Sequence, residues 1–198
     1  MQEKPARRTN LERTEATRGE LLAAARKLFT ERSYGETGTP EIVEAAGVTR
    51  GALYHHFRDK QDLFRAVVER EAAAVAAEIE QAAPDTLPPR DALIRGGEAY
   101  LHAMAQDGRA RLLLLDGPSV LGRAEMDSID NRHGNRTLRA GLAIAMKEGV
   151  LRKLPLDAVT SLVAAAYDRA ALAIDEGAAP EEYRAVLSAL IDGLMLEK

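Results

Sequence analysis

Arg50, Gly51, Tyr54 and His55 are the residues whose types and spacing carry the most chemistry. On a short helix beginning at Arg50 they are left for the outer face once Leu53 and Phe57 turn inward. An arginine there can donate two parallel hydrogen bonds to a guanine edge, and a polar rod about 12 Å long suits the DNA major groove. Other chemistries find little support. The chain has no cysteine, which excludes disulfides and thiolate metal sites. His55 and His56 are adjacent, so on a helix they point about 100° apart and chelate poorly. His102 falls opposite Leu93 and is expected to face water. No nucleophile–base pair, glycine-rich phosphate loop or metal set is legible, so neither an enzyme nor a cofactor is expected.

The elements that must hold this face are helical. Leu21, Leu22, Ala25, Leu28 and Phe29 recur at helical spacing within Thr14 to Arg32. Ser33 to Gly38, with two glycines, breaks that helix. Thr39 can cap a second helix with Pro40 in its first turn, and Gly47 ends it at a position suited to positive φ. Thr49 can cap the third helix. Asp59 can cap a fourth running toward Ala83, where Pro84, Pro88 and Pro89 stop it. Ile42, Ala46, Val48, Leu53 and Phe57 form the expected internal core, against Leu28 and Phe29. Two short helices joined by a tight glycine turn make a helix-turn-helix. Five further helices are expected at about 90–107, 109–116, 122–148, 156–176 and 180–197, with the break at 84–89 separating front from rear.

Here the chain resembles the TetR family of repressors. The likeness is carried by Thr17-Arg18, by LLAAARKLFTERSYG, and by PEIVEAAGVTRGALYHHFRDKQDLF at 40–64. It covers residues 14–65; Val43 departs from it, standing where the family usually has alanine. The resemblance implies phosphate contacts for Thr39 and Thr49 at helix starts and a groove-facing set of Arg50, Gly51, Tyr54 and His55. It implies that Lys60 reaches the DNA backbone. Tyr54 as half-buried core, and the basic arm at 4–13 as a solvated tail rather than a minor-groove reader, are the alternatives.

The implied fold is all-α: a three-helix DNA-binding domain at 14–65, joined by a long helix to a ligand-binding and dimerisation domain at 66–198. In such proteins the last two helices dimerise and the rear helices enclose an effector. Helix 156–176 carries Val159, Val163, Ala166, Tyr167, Ala170 and Ile174, and helix 180–197 adds Tyr183, Val186, Leu187, Leu190, Ile191 and Leu194; both suit a two-fold four-helix interface. Ligand contacts are expected from Tyr100 and Met104, which share the stripe of Leu93. Met126, Ile129, His133, Thr137 and Ile144 recur along 122–148, and Asp168 with Arg169 interrupts an apolar helix. Each has a duller reading: core filler, a satisfied buried histidine, an interface ion pair.

Charge bounds the partners. The chain is net −4, yet residues 1–70 hold 13 Lys/Arg against 11 Asp/Glu, densest at Lys4, Arg7, Arg8 and Arg13. Local charge governs phosphate contact, so the acidic total does not exclude nucleic acid. No secretion signal or span-length apolar run is visible, so a cytoplasmic location is expected. The reading is a dimeric regulator of a palindromic operator, released by a small, mostly apolar effector. The alternative is a DNA-binding regulator gated by a protein partner, or without a ligand.

Overall fold

The computed structural model describes residues 10–84 and 86–196, so Lys4, Arg7 and Arg8 of the basic arm lie outside the described residues. The described chain is helical, apart from one isolated antiparallel bridge between Leu151 and Met195. Close packing divides it within the fourth helix into Met1–Val67 and Val68–Lys198, rather than at the 84–89 prolines.

The front unit holds α1 (Asn10–Arg32), α2 (Thr39–Ala46), α3 (Arg50–His56) and the start of α4 (Lys60–Ala82). Its core is small and aromatic-centred: Leu21, Ala25, Leu28, Phe29, Ile42, Leu53, Phe57, Leu63 and Phe64 are all buried. The Phe29 and Phe64 rings meet edge-on at 5.2 Å, and Tyr34 closes the cluster at 5.0 Å from Phe64. Ala46, Val48 and Val43 are only half-buried, at the rim of this core. Arg18 lays its guanidinium 4.5 Å from the centre of the Phe57 ring.

Local chemistry sets each boundary. Gly47 takes φ 65° and donates to Glu44, while Val48 donates to Val43; this pairing consumes the last carbonyls of α2 and turns the chain sharply into α3. Thr49 caps α3 by accepting from the Ala52 N–H at 3.2 Å, and Asp59 caps α4 by accepting from Asp62 at 2.7 Å. One cap differs from expectation. Gly38 occupies the cap position of α2, because the Glu41 carboxylate accepts its N–H at 2.8 Å, and Thr39 lies in the first turn.

The rear unit continues α4 and adds α5 (Pro89–Met104), α6 (Arg109–Arg111) running into a π-helical turn at Leu112–Asp116, α7 (Gly117–Leu121), α8 (Arg123–Arg132), α9 (Gly134–Lys147), α10 (Leu156–Asp175) and α11 (Pro180–Leu194). Leu93, Leu142, Ala145, Leu151, Val159 and Ile191 form a core shared by α5, α9, α10 and α11. Gly117-Pro118 does not separate helices, since Pro118 sits in the first turn of α7, where its missing N–H costs nothing.

The expected single helix 122–148 is two. His133 takes φ −121° and ψ −105° between α8 and α9, and its Nε2 lies 2.7 Å from Glu69 Oε1 on α4. A helical stripe read through Met126, Ile129, His133, Thr137 and Ile144 therefore does not exist as one face.

Candidate nucleic-acid interface and ligand cavity

The front face is assembled from two helix starts. Arg50, Gly51, Tyr54 and His55 are exposed on α3, with Tyr54 at 43%. The Arg50 guanidinium lies 5.5 Å from the Tyr54 ring centre. Hydrogen bonding to the Thr39 hydroxyl first, and to Arg50 second, holds the Tyr54 phenol below its usual range. Thr39, Arg50 and Tyr54 thus form one cluster across α2 and α3, on the solvent side of the helix-turn-helix. Tyr54 belongs to this face and not to the core. Thr49 is exposed beside it, with its hydroxyl partly engaged as the α3 cap.

Lys60 is placed differently from the expectation of a backbone-reaching cation. Its Nζ donates to the Tyr34 carbonyl at 2.9 Å and to the Thr37 carbonyl at 3.0 Å, and lies 4.1 Å from the Tyr34 ring centre. Two of its three N–H groups are spent inside the unit. The ammonium staples the 33–38 turn to the start of α4.

His55 and His56 stack edge-on at 5.3 Å rather than converging. Burial first, then His55 and Arg18, pulls the His56 imidazole below its usual range, which disfavours a charge there. Among the described residues no group of three or more His, Cys, Asp or Glu could hold a metal ion. His102 is exposed.

The rear unit contains a cavity of about 1190 Å³ between α4, α5, α9 and α10, lined largely by aliphatic side chains. Four of the expected ligand residues line it: Tyr100, Met104, Tyr167 and Asp168. Tyr100 donates to Asp168 at 2.5 Å, and its ring meets Tyr167 edge-on at 6.1 Å. The Tyr167 ring occupies the space a side chain at Gly97 would need; a Cβ there would collide with its hydroxyl and ring. Burial pushes the Tyr167 phenol up to about 12, with Glu98 adding to it.

Met126 and His133 do not line the cavity. Met126 is buried against Gly117, and His133 turns to Glu69 at the α8–α9 break. The reason is that break, which takes both off the stripe that carries Thr137 and Ile144, two residues that do line the cavity. Arg169 is exposed and does not line it, so Asp168 and Arg169 do not act together there.

Sequence reasoning missed Asp130, which lines the cavity from α8. Burial, then the Asp168 and Asp127 charges, raise its carboxyl to about 6; His133 and Arg123 oppose the rise. Nothing in the charged stretch DSIDNRHGNR distinguishes it from a solvated acid. Also missed was a buried ion cluster: Arg109 donates to Glu71 at 2.9 Å, to Glu78 at 3.0 Å and to the Ala103 carbonyl at 2.8 Å. No helix of the described residues is long and apolar enough to cross a membrane.

Residues 21–67 match the family described as bacterial regulatory proteins, tetR family, and residues 90–196 match the tetracyclin repressor-like C-terminal domain. The transcriptional activator FasR of Mycolicibacterium smegmatis is 32% identical over 114 residues, which is 58% of this chain and 52% of FasR. The transcriptional repressor BepR of Brucella suis is 47% identical over 64 residues, 32% of this chain and 30% of BepR. The matches thus span about half the length of the first relative and less than a third of the second. A crystal structure of a TetR-family transcriptional regulator from Pectobacterium atrosepticum is 32% identical, covers 96% of this chain and 99% of that one, and superposes with a TM-score of 0.75. The fold, the solvent-facing helix-turn-helix and these likenesses agree: the chain belongs to the TetR family of DNA-binding transcriptional regulators, which are not enzymes.

Proposed function

We propose that this chain is a cytoplasmic, ligand-responsive repressor that grips a palindromic operator as a homodimer. Arg50, Tyr54 and His55 of α3 read base edges; Gly51 lets the helix approach closely; Thr39 and Thr49 hold flanking phosphates through hydroxyls at helix starts. Two such helices in a two-fold dimer require half-sites about 34–36 Å apart or somewhat more.

The dimer uses α10 and α11. Each has one stripe spent on its own unit, with Val159, Tyr167, Leu187 and Ile191 buried, and a second stripe left open, with Leu162 73%, Val186 59% and Leu190 53% exposed. Small Ala165, Ala185, Ala189 and Gly193 are also exposed, allowing close helix approach. Solvent-facing apolar stripes on neighbouring elements are the usual mark of a subunit contact.

The single observation that carries ligand control is the rear cavity, which at about 1190 Å³ is slightly larger than most small-molecule sites and has room for one. It favours an effector over gating by a protein partner, which needs no internal space. Effector binding releases the operator through differential affinity for two states of the dimer. The test is to select bound fragments from random genomic DNA, then titrate the selected operator with compounds that raise the thermal midpoint. Loss of binding with a stabilising compound supports the reading. Tight binding to one isolated half-site by a monomer contradicts it.

A further inference from the structure

We infer that the rear cavity takes an organic cation, with the carboxylates of Asp130 and Asp168 holding a protonated amine whose apolar body fills the aliphatic remainder. The inference rests on the reading of this cavity as an effector site, and it names the effector's charge.

Two acids from different helices, α8 and α10, line one largely apolar cavity. Tyr100 satisfies one oxygen of Asp168. Among the described residues no side chain makes a hydrogen bond or ion pair to the other Asp168 oxygen or to the Asp130 carboxylate. Both acids are half-buried, and a partly desolvated carboxylate without a cationic partner carries a cost that a bound cation would offset.

The cations nearby are spoken for or distant. Arg136 lines the cavity but pairs with Glu80 at 2.6 Å, both half-exposed or more. Lys147 is exposed beside Glu148. Arg123 at the start of α8 acts on both acids through space but makes no ion pair with either, and it is exposed. The Tyr100 and Tyr167 rings border the same space, and aromatic faces attract ammonium groups. An anionic ligand would meet two like charges there. A neutral one would gain only hydrogen bonds.

Burial raises both carboxyls, Asp130 to about 6. Asp168 from α10 and Asp127 from α8 add to the rise at Asp130, while His133 and Arg123 oppose it. A cation binds the deprotonated acid and displaces the proton, so its affinity must increase as pH rises through about 6.

The experiment is calorimetric titration of the full chain with three matched probes: naphthylmethylamine, naphthylmethanol and naphthoate. The expected result is amine binding at least tenfold tighter than the alcohol at pH 7.5, no measurable naphthoate binding, and an amine preference that shrinks at pH 5. Asp130→Asn and Asp168→Asn, near-isosteric changes whose thermal midpoints are checked first, should each reduce the preference several-fold and leave alcohol affinity within about twofold. The inference is overturned if the alcohol or naphthoate binds as well as the amine, if the Asn variants keep the preference, or if none of the three binds. In the first two cases the cavity still serves as a ligand site. If none binds, compounds from the stabilising screen decide separately whether the effector reading also falls.

Discussion

At the residue scale, the front face separates side chains that can read DNA from one that holds the reader together. Arg50 has no ion pair among the described residues and stands over Tyr54 on the exposed side of α3, free to meet a base edge. Arg50→Ala should weaken operator binding by about 1–3 kcal/mol and relax base preference at its position, measured by anisotropy on operator variants. Unchanged affinity at physiological salt would remove Arg50 from the reading set. Lys60 should behave otherwise. Its ammonium bonds two carbonyls of the 33–38 turn, so Lys60→Ala should lower unfolding stability by about 1–3 kcal/mol by denaturant titration. A variant of full stability whose operator salt dependence flattens by about one charge would restore Lys60 to the phosphate-contacting set instead. From sequence both residues were expected to touch DNA, Arg50 in the groove and Lys60 on the backbone. Nothing in the spacing could reveal that the Tyr34 and Thr37 carbonyls end up beneath Lys60.

At the element scale, the helices were legible where apolar periodicity and turn chemistry agreed. The Gly47 turn, the Thr49 and Asp59 caps and the proline stop after α4 follow directly from residue types whose conformational preferences are strong. The α8–α9 region was not legible, because the device that breaks it is a long-range pair: His133 abandons helical geometry while its ring meets Glu69, and a lone Gly134 is a weak breaker by itself. With that stripe lost, Met126 and His133 were misplaced, while Tyr100, Met104, Tyr167 and Asp168, on uninterrupted helices, fell on the cavity wall. The buried Arg109 cluster is equally non-local, tying the three-residue α6 to Glu71 and Glu78 of α4. Arg109→Ala strips a buried cation from two carboxylates and should cost about 3–5 kcal/mol of stability. A thermal midpoint within about 2 °C of wild type would show that the cluster contributes little to folding.

At the scale of the whole molecule, α10 and α11 present open apolar stripes to solvent, while α10 also lines the rear cavity through Ala164, Tyr167 and Asp168. Replacing Leu162 and Leu190 together by Glu places four like charges in a two-fold contact; light scattering at micromolar concentration should then give a monomer, with operator affinity reduced more than 100-fold because a single head binds a half-site. A double variant that stays dimeric would move the interface elsewhere. The helix-turn-helix residues at 39–57 already pointed to nucleic acid in front, and the slight basic excess of residues 1–70 was compatible with it. The charge preference of the cavity was hidden, since Asp130 reads in sequence as one more surface acid.

The central claim is that occupation of the rear cavity weakens the hold of the front face on DNA. Its most direct test is operator affinity of the wild-type chain, measured with and without saturation by a compound whose binding Tyr167→Ala abolishes. The account predicts at least a tenfold loss of affinity on saturation, within the usual range of coupling between sites, and no loss in the Tyr167→Ala variant, whose ligand-free operator affinity stays near wild type. A compound that fills the cavity, requires Tyr167 and leaves operator affinity unchanged would contradict it.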